Sequence, residues 1–224
     1  MDDKTSKRTQ KSFATSERIL DAAEELFAKH GIYGVTMREI AELANVDTAL
    51  LHYYFDSKRG VFDSVFARRC DVINSERMLE MDRYEAASGD AMTVEGIFAA
   101  YLRAMFTLNR EGGQGWRNFC AFVTHLDSTE LAEIFAKKFE PVVRRLIDLL
   151  KRAMPEAGEA DLYWAYHMFS GSLMIVNAAN GSIEGLSEGL CRSEDFDAIE
   201  PRLVRYTAAG FRAICEARQA AAAQ

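Results

Sequence analysis

The stretch Val35–Lys58, VTMREIAELANVDTALLHYYFDSK, contains two short helices, a tight turn between them, and polar and aromatic side chains left over on the second. Thr36 and Glu39 form a capping box: the hydroxyl accepts from the backbone three residues on, while the carboxylate reaches back to the cap. Val35 and Ile40 supply the matching hydrophobic staple, so a helix starts at Met37. It ends near Ala44, where Asn45 can take the left-handed conformation. Asp47 then caps the next helix, and Val46 with Leu51 repeats the staple. If Leu51 and Phe55 turn inward onto Ile19, Leu26 and Ile40, then Thr48, Ala49, His52 and Tyr53 are left facing outward. This is the layout of a DNA-reading helix-turn-helix. The plainer alternative is a pair of capped helices inside a helical core, against which the run HYY speaks, because a core helix rarely exposes two tyrosines and a histidine.

Outward from this stretch, Ile19, Ala22, Ala23, Leu26 and Phe27 make one apolar face of a preceding helix, capped at Thr15 or Ser16 and stopped by Gly31 after His30. Ser57 or Asp56 caps a fourth helix reaching roughly Tyr84, and Ala87–Asp90 reads as a loop. Further helices are expected at Thr93–Arg110, Trp116–Leu126, Thr129–Ala153 with a kink at Pro141, Glu159–Ala179 and Phe196–Arg218. Asn180–Glu194, with three glycines, reads as a long loop. Period-2 strand patterns are hard to find and only three prolines occur, so the fold class is all-α. The expected domains are a basic, disordered arm over residues 1–14, a three-helix helix-turn-helix domain over 15–60, and a helical effector-binding and dimerisation domain over 61–224.

The formal charge is −7 from 27 basic and 34 acidic residues, which argues against wholesale coating of nucleic acid. Even so, Lys4, Lys7, Arg8, Lys11 and Arg18 cluster with Glu17 as the one acid after Asp3, and such an arm can follow phosphates. Cys70, Cys120, Cys191 and Cys215 are far apart, with neither a CxxC pair nor a zinc spacing, and suit a reduced cytoplasmic protein with no metal. There is no signal-peptide stretch and no apolar run of the ~20 residues a membrane span needs. Catalysis finds no support: no HExxH or ExxH spacing and no glycine-rich loop after a strand, and Ser170-Gly171-Ser172 lacks the glycines of a nucleophile elbow. No cofactor is expected.

Residues 15–66 resemble the N-terminal domain of the TetR family of bacterial transcriptional regulators, through RILDAAEELFAKHG, VTMREIAELANV and the aromatic cluster with its Ser-Lys pair, YYFDSK. The resemblance implies DNA-backbone contacts from Thr36, Tyr53 and Lys58 and groove contacts from the third helix. The candidate DNA-binding set is therefore Thr36, Arg38, Thr48, Ala49, Leu50, His52, Tyr53 and Lys58. Leu50 and His52 stand where the family often has Thr and Tyr, and Arg59-Gly60 replaces the usual acidic-Ala pair. The resemblance further implies a homodimer through the last two helices, a palindromic operator read at half-sites roughly 34 Å apart, and an internal ligand pocket. A weaker similarity to the fatty-acid-responsive PsrA-like branch, in VFARRCDVINSERMLEMDRYEA, MFSGSLMIVNA and LVRYTAAGFRA, implies a lipophilic effector, a fatty acid or acyl thioester. The candidate pocket residues are Tyr101, Met105, Phe106, Trp116, Phe119, Phe122, His125, Met168 and Asn177, since small-ligand sites are apolar with few polar anchors. The same residues also fit an ordinary core. A DNA-binding regulator governed by a protein partner, with no small ligand, is the competing reading.

Overall fold

The computed structural model describes residues 2–123, 129 and 135–222. Its helices are α1 (Asp2–His30), α2 (Met37–Ala44), α3 (Thr48–Phe55), α4 (Lys58–Ser88), α5 (Val94–Glu111), α6 (Gly113–Val123), α7 (Glu140–Ala153), α8 (Glu159–Ala178), α9 (Ser182–Leu186) and α10 (Phe196–Ala222), and the described residues include no strand. The chain divides into two compact units, Met1–Asp71 with Gly112–Glu133, and Val72–Glu111 with Ile134–Gln224.

Several boundaries differ from the sequence reading. The backbone is helical from Asp2, so residues 2–14, expected to form a disordered arm, open α1. Helix α4 runs to Ser88 and a 3₁₀ turn, Gly89–Ala91, follows where a loop was expected. Of the helix expected over Thr129–Ala153, residues 130–134 lie outside the described residues, and Pro141 sits in the first turn of α7, where its missing N–H is no loss, directly after a π-helical turn over Phe135–Phe139. The expected loop after α8 contains the five-residue α9. The division into units also departs from a boundary at residue 60, because α6 belongs with the N-terminal helices. Trp116 and Phe119, 2% and 5% exposed, stack on each other at 5.3 Å, and Phe119 meets Phe66 edge-on at 5.4 Å.

The first unit closes over Ile19, Ala23, Phe27, Ile40, Leu51, Val61, Phe62 and Val65, all fully buried. Each of these side chains larger than that of Ala23 contributes roughly 1.5–3 kcal/mol when taken out of water. One charge lies among them. Glu24 is 1% exposed and is gripped from α4 by Arg68 at 2.6 Å and Arg69 at 3.0 Å. Arg68 also reaches Glu17 and Asp21. On the α6 side the fit is tight, since a Cβ on Gly115 would come within 2.2 Å of the Arg69 Nη2.

In the second unit, rings stack across helices: Phe98 of α5 with Phe169 of α8 at 5.1 Å and with Phe211 of α10 at 4.8 Å. Ion pairs tie the outside, among them Arg145 with Asp82 and Glu85, and Arg212 with Glu95. No described helix is long and apolar enough to cross a membrane.

Glu24 is the carboxylate that Arg69 pairs with and one of three that Arg68 reaches, so its removal strands Arg69 and leaves Arg68 only Glu17 and Asp21. Glu24→Ala should lower unfolding free energy by about 3 kcal/mol or more, and Glu24→Gln by less. Urea denaturation followed by helical circular dichroism checks this, and an unchanged midpoint would contradict it.

Candidate nucleic-acid interface

The capping predicted for α2 and α3 is present. Thr36 Oγ1 accepts from the Glu39 N–H at 3.2 Å, and Glu39 Oε2 accepts from the Thr36 N–H at 2.7 Å. Asn45 adopts φ 53°, ψ 54°, and the N–H of Val46 reaches back to Ala41 at 3.0 Å, closing α2 in a Schellman-type turn. Asp47 Oδ1 then accepts from the Ala49 N–H at 2.7 Å and starts α3. Val35, Ile40 and Leu51 of the two staples are buried, while Val46 is half-buried.

The far end of α3 is set by a sharper device. Asp56 has φ 63° and ψ −53°, and the Ser57 N–H reaches the Phe55 carbonyl at 2.6 Å, which makes a γ-turn. That backbone is strained for any residue with a side chain. Ser57 then caps α4, its Oγ accepting from the Gly60 N–H at 3.1 Å. A Cβ at position 60 would lie 2.0 Å from the Phe55 carbonyl oxygen. Glycine at 60, a departure from the family pattern, thus follows from how closely α4 passes beneath the end of α3.

On this frame Ala49, His52 and Tyr53 are exposed, Tyr53 to 79%, and Thr48 and Leu50 are half-buried. His52 Nδ1 lies 2.8 Å from the Asp56 carbonyl. A carbonyl only accepts, so Nδ1 carries the proton, and the neutral ring turns an Nε2 acceptor outward. His52 therefore suits a base amino group when neutral and a phosphate when protonated, a finer role than the donor expected of it. The HYY run is also split. Tyr53 projects from the surface, whereas Tyr54 turns back, its hydroxyl 2.9 Å from Ser12 of α1 and its ring edge-on to Tyr53 at 5.4 Å. Nothing in the spacing singled out Tyr54 and Ser12.

Two of the expected backbone contacts, Thr36 and Lys58, and Arg38 of the candidate set are already engaged. The Thr36 hydroxyl donates to Glu39 at 2.7 Å. Lys58 Nζ donates to the Val35 carbonyl at 2.9 Å, joining the start of α4 to the start of α2 and leaving two of its three protons. Arg38, with an 82% exposed side chain, uses its Nε on Glu42 at 2.8 Å and keeps its fork for a phosphate. The side chains of Lys4, Lys7, Arg8 and Lys11 lie outside the described residues.

The expected pocket residues are divided between the two units. Trp116 and Phe119 belong to the first unit and pack in its core, whereas Tyr101, Met105 and Phe106 are buried in the second. The Phe122 side chain and His125 lie outside the described residues. Met168 is 61% exposed on α8 although its neighbour Phe169 is buried, and Asn177 is half-buried. Two clefts of the second unit have other linings. One of about 440 Å³ includes Met92, Val94, Met154 and Cys215; one of about 370 Å³ includes Glu80, Tyr84 and Arg103. The Tyr166 phenol is pushed well above the ordinary range by burial, with Tyr101 adding to the shift and Arg77 opposing it.

Two family models match: "Bacterial regulatory proteins, tetR family" over residues 19–65, and "Tetracyclin repressor-like, C-terminal domain" over residues 99–210. The chain is similar to the HTH-type transcriptional regulator RutR of Escherichia coli K12, 31% identical over 116 residues, 52% of this chain and 51% of that protein. It is also similar to the HTH-type transcriptional repressor NicS of Pseudomonas putida, 32% identical over 101 residues, 45% and 48% of the two. It spans about half the length of these curated relatives. Among solved structures, a TetR-like transcriptional regulator from Rhodococcus sp. RHA1 superposes with a TM-score of 0.54 at 16% identity, covering 88% of this chain and 96% of that one.

Gly60→Ala should cost about 1–3 kcal/mol, as overpacking against rigid backbone does, and should weaken DNA binding by displacing α3; thermal denaturation and DNA titration check both. A second outcome concerns pH. Hydrogen bonds from the Thr36 hydroxyl and then its backbone hold the Glu39 carboxyl below its ordinary value. The cap's contribution is therefore fully present above that ordinary value and is lost as pH falls through the lowered one. Amide exchange at the α2 N-terminus should accelerate, relative to mid-α2, only in that acid window, and flat exchange across it would contradict the capping box.

Proposed function

Since the chain belongs to the tetR family of bacterial regulatory proteins, which are transcriptional regulators and not enzymes, we propose that it is a ligand-responsive repressor that binds a palindromic operator as a homodimer. The observation that carries this is the surface of α3: Ala49, His52 and Tyr53 stand exposed on a helix whose two ends are fixed by Asp47 and by the Asp56 turn. A helix held in that way can lie in the major groove, with Arg38 and Lys58 at the flanking phosphates. His52 can read a base edge and Ala49 a thymine methyl.

The second unit supports dimerisation. Along α8, Trp164, Met168 and Ile175 are exposed to 61%, 61% and 66%, with Gly171 between them, and Tyr206 of α10 is 69% exposed beside exposed Ala209, Gly210 and Ala213. This is an apolar face with small residues at its centre, suited to close packing of helices from a second copy. Met168, a candidate for the pocket in the sequence, fits this face better. A monomer would leave the face in water, which soluble chains rarely do over such an extent. The effector is proposed to be small and lipophilic and to bind in the second unit, which shares α4 with the first. It acts by preferring one arrangement of the two recognition helices over another.

The test is fluorescence anisotropy of the full-length protein on a duplex from upstream of its own gene. Binding should weaken steeply with salt, as phosphate contacts require. His52→Ala with Tyr53→Ala should weaken it by about tenfold or more, with the dimer unchanged in sedimentation. Salt-insensitive binding, or full binding by the double variant, would sink this reading.

A further inference from the structure

Arg77, on the part of α4 in the second unit, is 4% exposed. Its neighbours along the helix, Arg68, Arg69 and Arg83, all pair with glutamates. Arg77 has no carboxylate partner among the described residues, and its Nε has no hydrogen-bond acceptor. Two rings flank it, with the guanidinium carbon 4.4 Å from the Tyr101 centroid and 5.8 Å from that of Phe139.

Guanidinium tolerates such stacking better than ammonium does because it is more weakly hydrated. Ring faces nonetheless replace only part of the water lost, and a buried charge is normally neutralised by a partner. The surroundings would suit the body of an amphiphile. Tyr101 lies 5.9 Å from Phe169, which continues the stack to Phe98 and Phe211. Asn74 Oδ1, one turn before Arg77 on α4, and Thr207 Oγ1, one turn before Phe211 on α10, are buried polar atoms with no hydrogen-bond partner among the described residues.

We propose that Arg77 binds the anionic head of the effector, and that the effector is a free organic carboxylate with an apolar body. The inference rests on the reading of the second unit as effector-binding, and it selects the free acid over the ester or thioester. A carboxylate supplies two oxygens to the guanidinium fork and the missing negative charge together. An ester or thioester carbonyl supplies one neutral acceptor and leaves the charge uncompensated.

The experiment compares decanoate, methyl decanoate, decanamide and decyl phosphate, below their micellar concentrations, on the full-length protein by thermal shift and by quenching of intrinsic fluorescence. Decanoate should stabilise the protein, with the ester and amide binding at least about tenfold more weakly. Arg77→Gln should lose the preference for decanoate while keeping its helical spectrum and its ligand-free DNA binding. Arg77→Lys, which keeps the charge and loses the fork, should retain part of it and guards against a Gln variant that fails to fold. Equal binding of acid and ester, no binding of decanoate, an unchanged preference in both variants, or tighter binding of decyl phosphate would overturn the assignment. DNA binding by the ligand-free protein is read separately. If it is lost while the Arg77-dependent preference holds, the repressor reading falls and the carboxylate site stands; the reverse pattern removes the site alone.

Discussion

The joint between α3 and α4 is the constraint on which the rest depends. The chain must reverse within two residues after Phe55 and start a helix of 31 residues at Lys58. It does so by forcing Asp56 to positive φ, by capping with Ser57, and by passing position 60 so close to the Phe55 carbonyl that a side chain has no room there. Strain of that kind persists only where the surroundings over-determine it. Here Lys58 ties the joint to the Val35 carbonyl, and His52 ties it to Asp56. The exposed side chains of α3 are thereby aimed by α4, whose residues fall in both units.

Behind the joint, α4 carries two kinds of buried arginine. Arg68 and Arg69 close on Glu24 and anchor the helix to α1. Arg77, farther along, faces rings and has no carboxylate partner among the described residues. A paired charge specifies one packing, whereas an unpaired one leaves a packing short of a partner that a ligand can provide. A ligand able to favour one arrangement through Arg77 would act on the same helix that positions the recognition surface.

What could be read from sequence was what local chemistry decides. Thr36 with Glu39, Asn45, Asp47 and Ser57 each act within four residues, and all five do what their types predict. The failures came where packing over long separations decides. Trp116 and Phe119 have helical apolar spacing whether they line a pocket or seal α6 onto Phe66, and spacing does not record the partner. Met168 is as apolar as Phe169, and only the direction of the helix separates the exposed residue from the buried one. The two roles of Tyr53 and Tyr54 depend on Ser12, forty-two residues away. The π-helical turn that precedes Glu140 leaves no mark in the periodic spacing around Pro141. Arg77 gave no signal at all, since an arginine in a charged run such as NSERMLEMDR looks solvated until its burial is known.

The most direct test of the central claim, that α3 reads DNA from two copies of this chain, is selection from a random duplex library by the full-length protein followed by sequencing. The account predicts an enriched motif with two-fold symmetry, its half-sites separated by about one helical turn, 10–10.5 base pairs centre to centre, or a multiple of it. An asymmetric motif, or no enrichment over the starting library, would contradict it.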